Sequence, residues 1–358
     1  MWPDRRLLAR LGIEVPIIQA PMAGVQDVDI AVAAAEGGAL GSLPCAMWTP
    51  DKAREQVDIF RQRVGAPVNL NFFCHQPVAA DPGQEARWRR RLEAYYEELG
   101  LDPGASVAAA NRAPFDAVMC ELVEELRPEV VSFHFGLPDP ALLARVKAAG
   151  ARVMGSATIV REAKWLEDHG ADIIIAQGAE AGGHRGMFLT ETIAGQPGTF
   201  ALVPQVVDAV RVPVIAAGGI ADGRGIAAAF ALGAAGVQIG SAYLRTPESK
   251  VSPLGRAALA AATDDATVIT NVMTGRPARG VANRLMREVG PVSADAPDFP
   301  HAATALTPLK AAAEKLGRVD FTNLWAGQAI ALGREIPAAE LTRALARDGL
   351  ARLSRLGS

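Results

Sequence analysis

Eight short, almost wholly apolar runs recur between Val15 and Gly240, and they restrict the fold more than any other feature of the chain. They are VPIIQA (15–20), ALGSLP (39–44), PVNLNF (67–72), EVVSFH (129–134), ARVMGS (151–156), ADIIIA (171–176), VPVIAA (212–217) and AGVQIG (235–240). Apolar residues follow one another instead of alternating with polar ones, as in parallel strands buried on both faces. Helical periodicity fills 51–63, 116–127, 139–149, 158–169 and 223–233, with Gly150, Gly170 and Gly233 as stops. Eight strands alternating with helices predict an α/β fold, a (β/α)8 TIM barrel. An open doubly wound sheet is the rival, and strand counting alone does not separate the two.

Two stretches break the alternation. Residues 77–115 carry a charge-rich helix at 84–99 and are too long for an ordinary connection. Residues 246–358 follow the last strand and read as mostly helical, with a Pro- and Asp-rich loop at 291–307. The predicted organisation is a barrel of residues 1–76 and 116–245 and an insertion at 77–115. The C-terminal region, 246–358, is expected to contribute to a smaller, mostly helical substrate or lid domain. Barrel chemistry sits at the C-terminal ends of the strands, so both extras are placed to roof a pocket.

Charge and cysteine usage narrow the class. A net charge of -3 and a pI near 6.0 give no electrostatic case for nucleic acid or an anionic membrane surface. The arginines at 87, 89, 90 and 91 are interleaved with Glu85, Glu93, Glu97 and Glu98, the pattern of a solvated helix. Cys45, Cys74 and Cys120 form no CxxC pair, which argues against disulfides and zinc and suits a reducing compartment. The first residues show no signal peptide, so a cytoplasmic protein is expected. The uncharged run from Ile226 to Leu244 contains Gly233, Gly236 and Gly240 and reads as helix then core strand, not as a membrane span.

Unusual residues collect at the predicted strand ends. The stretch AQGAEAGGHRG (176–186) places His184 behind Gly182 and Gly183, just after the sixth strand. Glycines let backbone approach a planar or phosphorylated ligand, and an imidazole exchanges protons near neutral pH. Gly218-Gly219 and Gly240-Ser241 follow strands seven and eight, where barrels often bind phosphate. Asn71 and Gln177 offer planar amides at the other side. A phosphorylated cofactor with a hydrogen-bonding ring fits this layout. Gly223-x-Gly225-x-x-Ala228 matches the dinucleotide fingerprint formally, but no acidic residue closes the next strand. No metal-ligand motif, P-loop or nucleophile elbow is present, so no metal site is expected.

The chain resembles the nitronate monooxygenase (2-nitropropane dioxygenase) family, its class I branch in particular. The resemblance runs in order through PIIQAPMAG (16–24), VNLNFFCH (68–75), VSFHFGLP (131–138), AQGAEAGGHRG (176–186), VPVIAAGGIADG (212–223), GVQIGSAYL (236–244), TGRPARG (274–280) and LWAGQA (324–329). It therefore covers nearly the whole chain. AAGGI is shared by many FMN barrels, whereas NFFCH, FHFG, GRPARG and WAGQ together are far more specific.

The resemblance implies FMN on the barrel and a smaller domain closing over it. Asn71, Gln177, Gly182, Gly183, Ala217, Gly218, Gly219, Gln238, Ile239, Gly240 and Ser241 would hold FMN, with the Pro21-Met22-Ala23 turn along its ring system. Asn69 competes with Asn71 for the flavin contact, and Asn71 is preferred. Ser241 stands where threonine is more usual in the family, with a hydroxyl that makes the same bond. His184 is the catalytic or substrate-orienting residue, and Met22 and His134 are placed toward the substrate, although His134 also fits a structural role. The implied reaction is oxidation of alkyl nitronates, such as propionate 3-nitronate, by dioxygen to a carbonyl compound and nitrite without NAD(P)H. The alternative is an NAD(P)H-dependent FMN reductase of the same superfamily, an enoyl-acyl-carrier-protein or quinone reductase. The partners are then a small nitronate or nitroalkane and dioxygen, and a homo-oligomer is compatible with this reading.

Overall fold

The computed structural model describes residues 1–105 and 112–356. Eight parallel strands form one sheet: Ile17–Gln19, Gly41–Pro44, Val68–Phe73, Val130–His134, Arg152–Ala157, Ile173–Gln177, Val214–Ala217 and Gly236–Ile239. Each pairs with its neighbour in that series, and the eighth pairs with the first. The remaining gap is closed by a parallel bridge between Ile18 and Leu40, with Gln19 N–H donating to the Leu40 carbonyl at 3.0 Å. This closure excludes the doubly wound alternative, because an open sheet has two free edges and a reversal of strand order. All eight predicted strands are present, each within two residues of its expected start.

Helices sheath the barrel because each connection must cover one apolar strand face. Pro50–Arg63, Ala117–Leu126, Pro140–Ala148, Val160–Asp168 and Gly223–Ala231 stand where periodicity predicted them. Asp116, Asp139 and Asp222 cap three of these with side-chain oxygens on backbone N–H groups. Thr199–Ala209 begins without a cap of its own. The Glu180 carboxylate supplies one from the loop after the sixth strand, accepting Thr199 N–H at 2.8 Å. At the opposite end of the barrel, Leu7, Leu11 and Ile13 join Ile18, Leu40, Met154, Ile173 and Ile215 in one apolar cluster. That end is sealed, so the strand C-termini are left for chemistry.

The C-terminal region is divided. Its last helix, Ala338–Leu356, returns to the barrel and packs against Val28–Glu36 and Gly223–Ala231. Close approach there needs glycine: a Cβ on Gly37 would lie 2.5 Å from Thr342, and one on Gly223 2.6 Å from Asp348. The middle of the region builds a second core with the insertion. Trp88, Leu92 and Tyr96 of the helix Pro82–Glu98 meet Leu285, Leu306, Leu309 and Phe321. Tyr96 donates its hydroxyl to the Ala305 carbonyl at 2.6 Å.

Two strands stand where helix was expected. Thr267–Thr270 and Ala278–Val281 form an antiparallel sheet whose third member is Gly183–His184. ARGV has weak strand propensity, and one of its two partners, Gly183–His184, lies far off in sequence, so the period-two signal is missing. No described helix is long and apolar enough to cross a membrane.

Candidate active site

His184 is fixed by that small sheet. Its backbone pairs with Ala278, and the next residue, Arg185, donates N–H to the Pro277 carbonyl at 2.8 Å. Arg185 is fully buried and staples the loop underneath. Its guanidinium bonds the carbonyls of Gln177 at 2.7 Å and Gly178 at 2.6 Å, and the Gln196 amide at 2.7 Å. Gln177 completes the brace, donating to the His184 carbonyl at 3.0 Å and accepting Gly186 N–H at 2.8 Å. His134 Nε2 lies 3.1 Å from the same His184 carbonyl.

The imidazole of His184 sits in a cluster of aromatic rings. Phe299, Trp325, Phe135 and Phe73 surround it with ring centroids at 5.4, 5.5, 6.0 and 6.3 Å. Phe135 adopts φ +71°, a left-handed conformation that L residues with bulky side chains rarely take. Such strain persists only where the surroundings enforce it. His184 Nε2 lies 2.9 Å from Thr274 Oγ1. The Thr274 hydroxyl is in turn 3.4 Å from the Arg276 carbonyl.

Among the described residues, the charged groups that act on His184 itself are two arginines and two histidines. Burial holds the His184 pKa well below its ordinary value, and Arg112, His134, Arg276 and His75 push the same way. Burial likewise lowers His134 and His75 to about 4. All three imidazoles are therefore neutral near pH 7. His75 is buried with Nδ1 unpartnered, and Arg112 and Arg276 each keep a buried Nε without a partner.

The glycine-rich turns divide by what they touch. A Cβ on Gly182 would lie 2.5 Å from Gly327 N, so this glycine admits the 326–327 backbone. Gly218, at φ +114°, lies equally close to Thr199 and Ala181. By contrast, Gly183 has nothing within 4 Å, and the nearest atoms are 3.6 Å away at Gly219 and 3.5 Å at Gly240. These three leave the open space that a planar or phosphorylated ligand requires. Gln238 presents a buried, unpartnered Oε1 to the same region of the barrel mouth.

The amides also sort by depth. Asn69 and Asn71 share one face of their strand. Asn69 is fully buried and bonded to Ser42 Oγ at 2.9 Å; Asn71 lies nearer the mouth and bonds Ser132 Oγ at 2.9 Å. Gln177 has one N–H and one lone pair left after bracing the loop. Ser241 Oγ accepts Gly327 N–H at 2.8 Å and keeps its own proton to donate. The side chains of Ala217 and Ile239 are core, and their carbonyls accept Gly178 N–H and Ala20 N–H. The turn Pro21-Met22-Ala23 is pinned by Gln26, whose Oε1 accepts Met22 N–H at 2.9 Å. Thus open glycines, an orphaned carbonyl oxygen and amides at the mouth fit a flavin phosphate and ring.

Gln26, Phe73, Arg112, Phe135, Thr274, Arg276, Phe299 and Trp325 were not singled out from sequence. Phe73, Phe135, Thr274, Arg276 and Trp325 lie inside the motifs VNLNFFCH, VSFHFGLP, TGRPARG and LWAGQA, which was the signal available for them, whereas Gln26, Arg112 and Phe299 lie outside any quoted motif. His169 and His301 lie elsewhere: His169 Nδ1 meets the Trp165 carbonyl at 2.7 Å, and His301 Nε2 meets that of Val78 at 2.9 Å. No cluster of three or more metal-ligating side chains occurs among the described residues.

A closed eight-stranded parallel barrel carries a ring-flanked histidine in the loop after its sixth strand, the arrangement of a (β/α)8-barrel enzyme. The sequence profile of the family described as nitronate monooxygenase matches residues 4–348. The chain belongs to the nitronate monooxygenase family, a family of flavin-dependent oxidoreductases. A protein of Paraburkholderia phytofirmans named nitronate monooxygenase is 42% identical over 96% of this chain and 94% of its own. One of the same name from Pseudomonas aeruginosa is 41% identical over 96% and 98%. Among solved structures, a nitroalkane oxidase from Streptomyces ansochromogenes superposes with a TM-score of 0.88 at 36% identity, covering 97% and 98% of the two chains. FabK from Thermotoga maritima gives 0.73 at 27% identity, covering 100% and 99%.

Proposed function

We propose that this enzyme oxidises alkyl nitronates, propionate 3-nitronate among them, using FMN and dioxygen, and releases a carbonyl compound and nitrite without NAD(P)H. The observation that carries this reading is the placement of His184 among the rings of Phe73, Phe135, Phe299 and Trp325, in the same loop as the open Gly183. The names of the relatives at 41–42% identity and of the Streptomyces neighbour support it.

FMN would be held by Asn71, Gln177, the glycines at 182–183 and 218–219, Gln238 to Ser241, and the Pro21-Met22-Ala23 turn. When bound it supplies electron transfer between nitronate and dioxygen. The protein's own part is binding and proton handling. With the Thr274 hydroxyl turned to the Arg276 carbonyl, its oxygen accepts Nε2–H from His184 and leaves the lone pair on Nδ1. That nitrogen can take the α-proton of a neutral nitroalkane, or, once protonated, hold the nitronate anion. The rings of Phe73, Phe135, Phe299 and Trp325 keep water away from the reacting carbon. In this reading the described parts of the insertion, 77–105 and 112–115, and the C-terminal region from 246 contribute to the smaller domain over the cofactor. A cytoplasmic setting suits three buried, free cysteines.

An NAD(P)H-dependent FMN reductase of the same superfamily is the second reading. Anaerobic mixing separates them. Propionate 3-nitronate is expected to change the flavin spectrum, and NADH to leave it unaltered. Rapid bleaching by NADH with no response to nitronate overturns the proposal.

A further inference from the structure

Arg112 and Arg276 are half-buried cations, each with a buried Nε that has no partner, and among the described residues neither forms an ion pair. The Arg276 guanidinium lies 4.1 Å above the Phe135 ring and donates to the Met187 carbonyl. That of Arg112 lies 5.5 Å from the Phe299 ring. The one carboxylate whose charge reaches Arg276 is Glu162, fully buried and already engaged. Its oxygens accept from Thr158 N and Oγ1 at 2.7 Å, Phe188 N at 2.7 Å and Leu189 N at 3.1 Å. Burying a charge without a partner is unfavourable unless a ligand supplies the opposite sign.

The two cations lie against neighbouring rings of the aromatic cluster around His184. The Phe135 and Phe299 rings are 5.9 Å apart, and both pack edge-on against His75, at 6.2 and 4.9 Å. Both also meet His184, so each guanidinium touches a ring that touches the imidazole. Neither is bonded to His184 itself. We propose that Arg112 and Arg276 form an anion-receiving end of the pocket that grips an acidic group of the substrate remote from the carbon reacting at His184. This rests on the nitronate reading and adds to it the residues that select substrates bearing a second negative charge. An arginine fork suits a carboxylate, and His75 Nδ1 stands beside it as a further polar atom.

The test compares propionate 3-nitronate with propyl 1-nitronate, an uncharged-tail analogue, in wild type, Arg276→Gln and Arg112→Gln. Wild type is expected to favour the carboxylated substrate in kcat/KM, and each variant to reduce that preference by about thirtyfold. Calorimetric titration with succinate, which carries charges at a similar spacing, is expected to show binding weakened by about tenfold or more in the variants. Arg112→Gln keeps the test open should loss of the Arg276 bond to Met187 impair folding. An unchanged preference with unchanged succinate affinity overturns the inference. A wild type idle on both nitronates overturns the nitronate reading instead, while the succinate titration still decides the role of the arginines.

Discussion

His184 Nε2 and Thr274 Oγ1 stand 2.9 Å apart, joining the loop after the sixth barrel strand to a residue of the C-terminal region 90 positions later. With the Thr274 hydroxyl turned to the Arg276 carbonyl, this bond places the imidazole proton on Nε2 and leaves Nδ1 free to act. Thr274→Val retains the shape and removes the hydroxyl. Turnover of neutral nitroalkanes is expected to drop about tenfold, the worth of one buried hydrogen bond, with flavin content unchanged. Equal turnover in the variant would show that Thr274 does not orient the base.

His184→Asn is expected to keep FMN and lose between about a hundredfold and ten-thousandfold on neutral nitroalkanes, the usual share of general-base catalysis. Activity on preformed nitronate is expected to fall less, because no proton has to be removed. Steady-state rates with each form of one substrate check this. Full turnover of the neutral form would remove the proton-transfer role.

Acid should destabilise the fold through its buried imidazoles. The folded pKa of His134 is about 4, against 6.5 for the free group. Between those values the unfolded chain binds more protons than the native one, so stability is present above pH 6.5 and lost as pH falls toward 4. His134 alone contributes on the order of 3 kcal/mol across that window. Urea melts of wild type and His134→Asn across the window are expected to show a shallower acid loss in the variant.

Gly240→Val tests the phosphate end. Its Cβ position has nothing nearer than 3.5 Å, and its backbone conformation is open to any residue, so the fold should survive. The protein is expected to purify colourless with a near-normal melting profile. A substitution at Gly218 would be less informative, since its Cβ would lie 2.8 Å from Thr199 Oγ1 in the protein itself. A yellow Gly240→Val protein would move the phosphate elsewhere.

Much of the barrel was legible because its signals are local. Each strand announces itself by a continuous apolar run, and helices such as Ala117–Leu126 by their period and their capping Asp116. Helix Thr199–Ala209 carries Pro204 and takes its cap from Glu180, so its start has no marker in its own sequence. The strand Ala278–Val281 owes its existence to its partners, which propensity does not see.

By itself the sequence determined the eightfold alternation, the glycine-flanked His184 behind the sixth strand, and the family those motifs belong to. Only the tertiary structure decided that the sheet closes through Ile18 and Leu40, that Gly182 serves the 326–327 backbone while Gly183, Gly219 and Gly240 stay open, and that Arg112, Arg276, Phe299 and Trp325 gather around His184. The physical reason is range. Hydrophobic period and capping act within a few residues, whereas the surroundings of His184 are assembled from Phe73, Phe135, Thr274, Phe299 and Trp325, which are far apart in sequence. There burial and unpaired charge arise from neighbours that no stretch of sequence contains together.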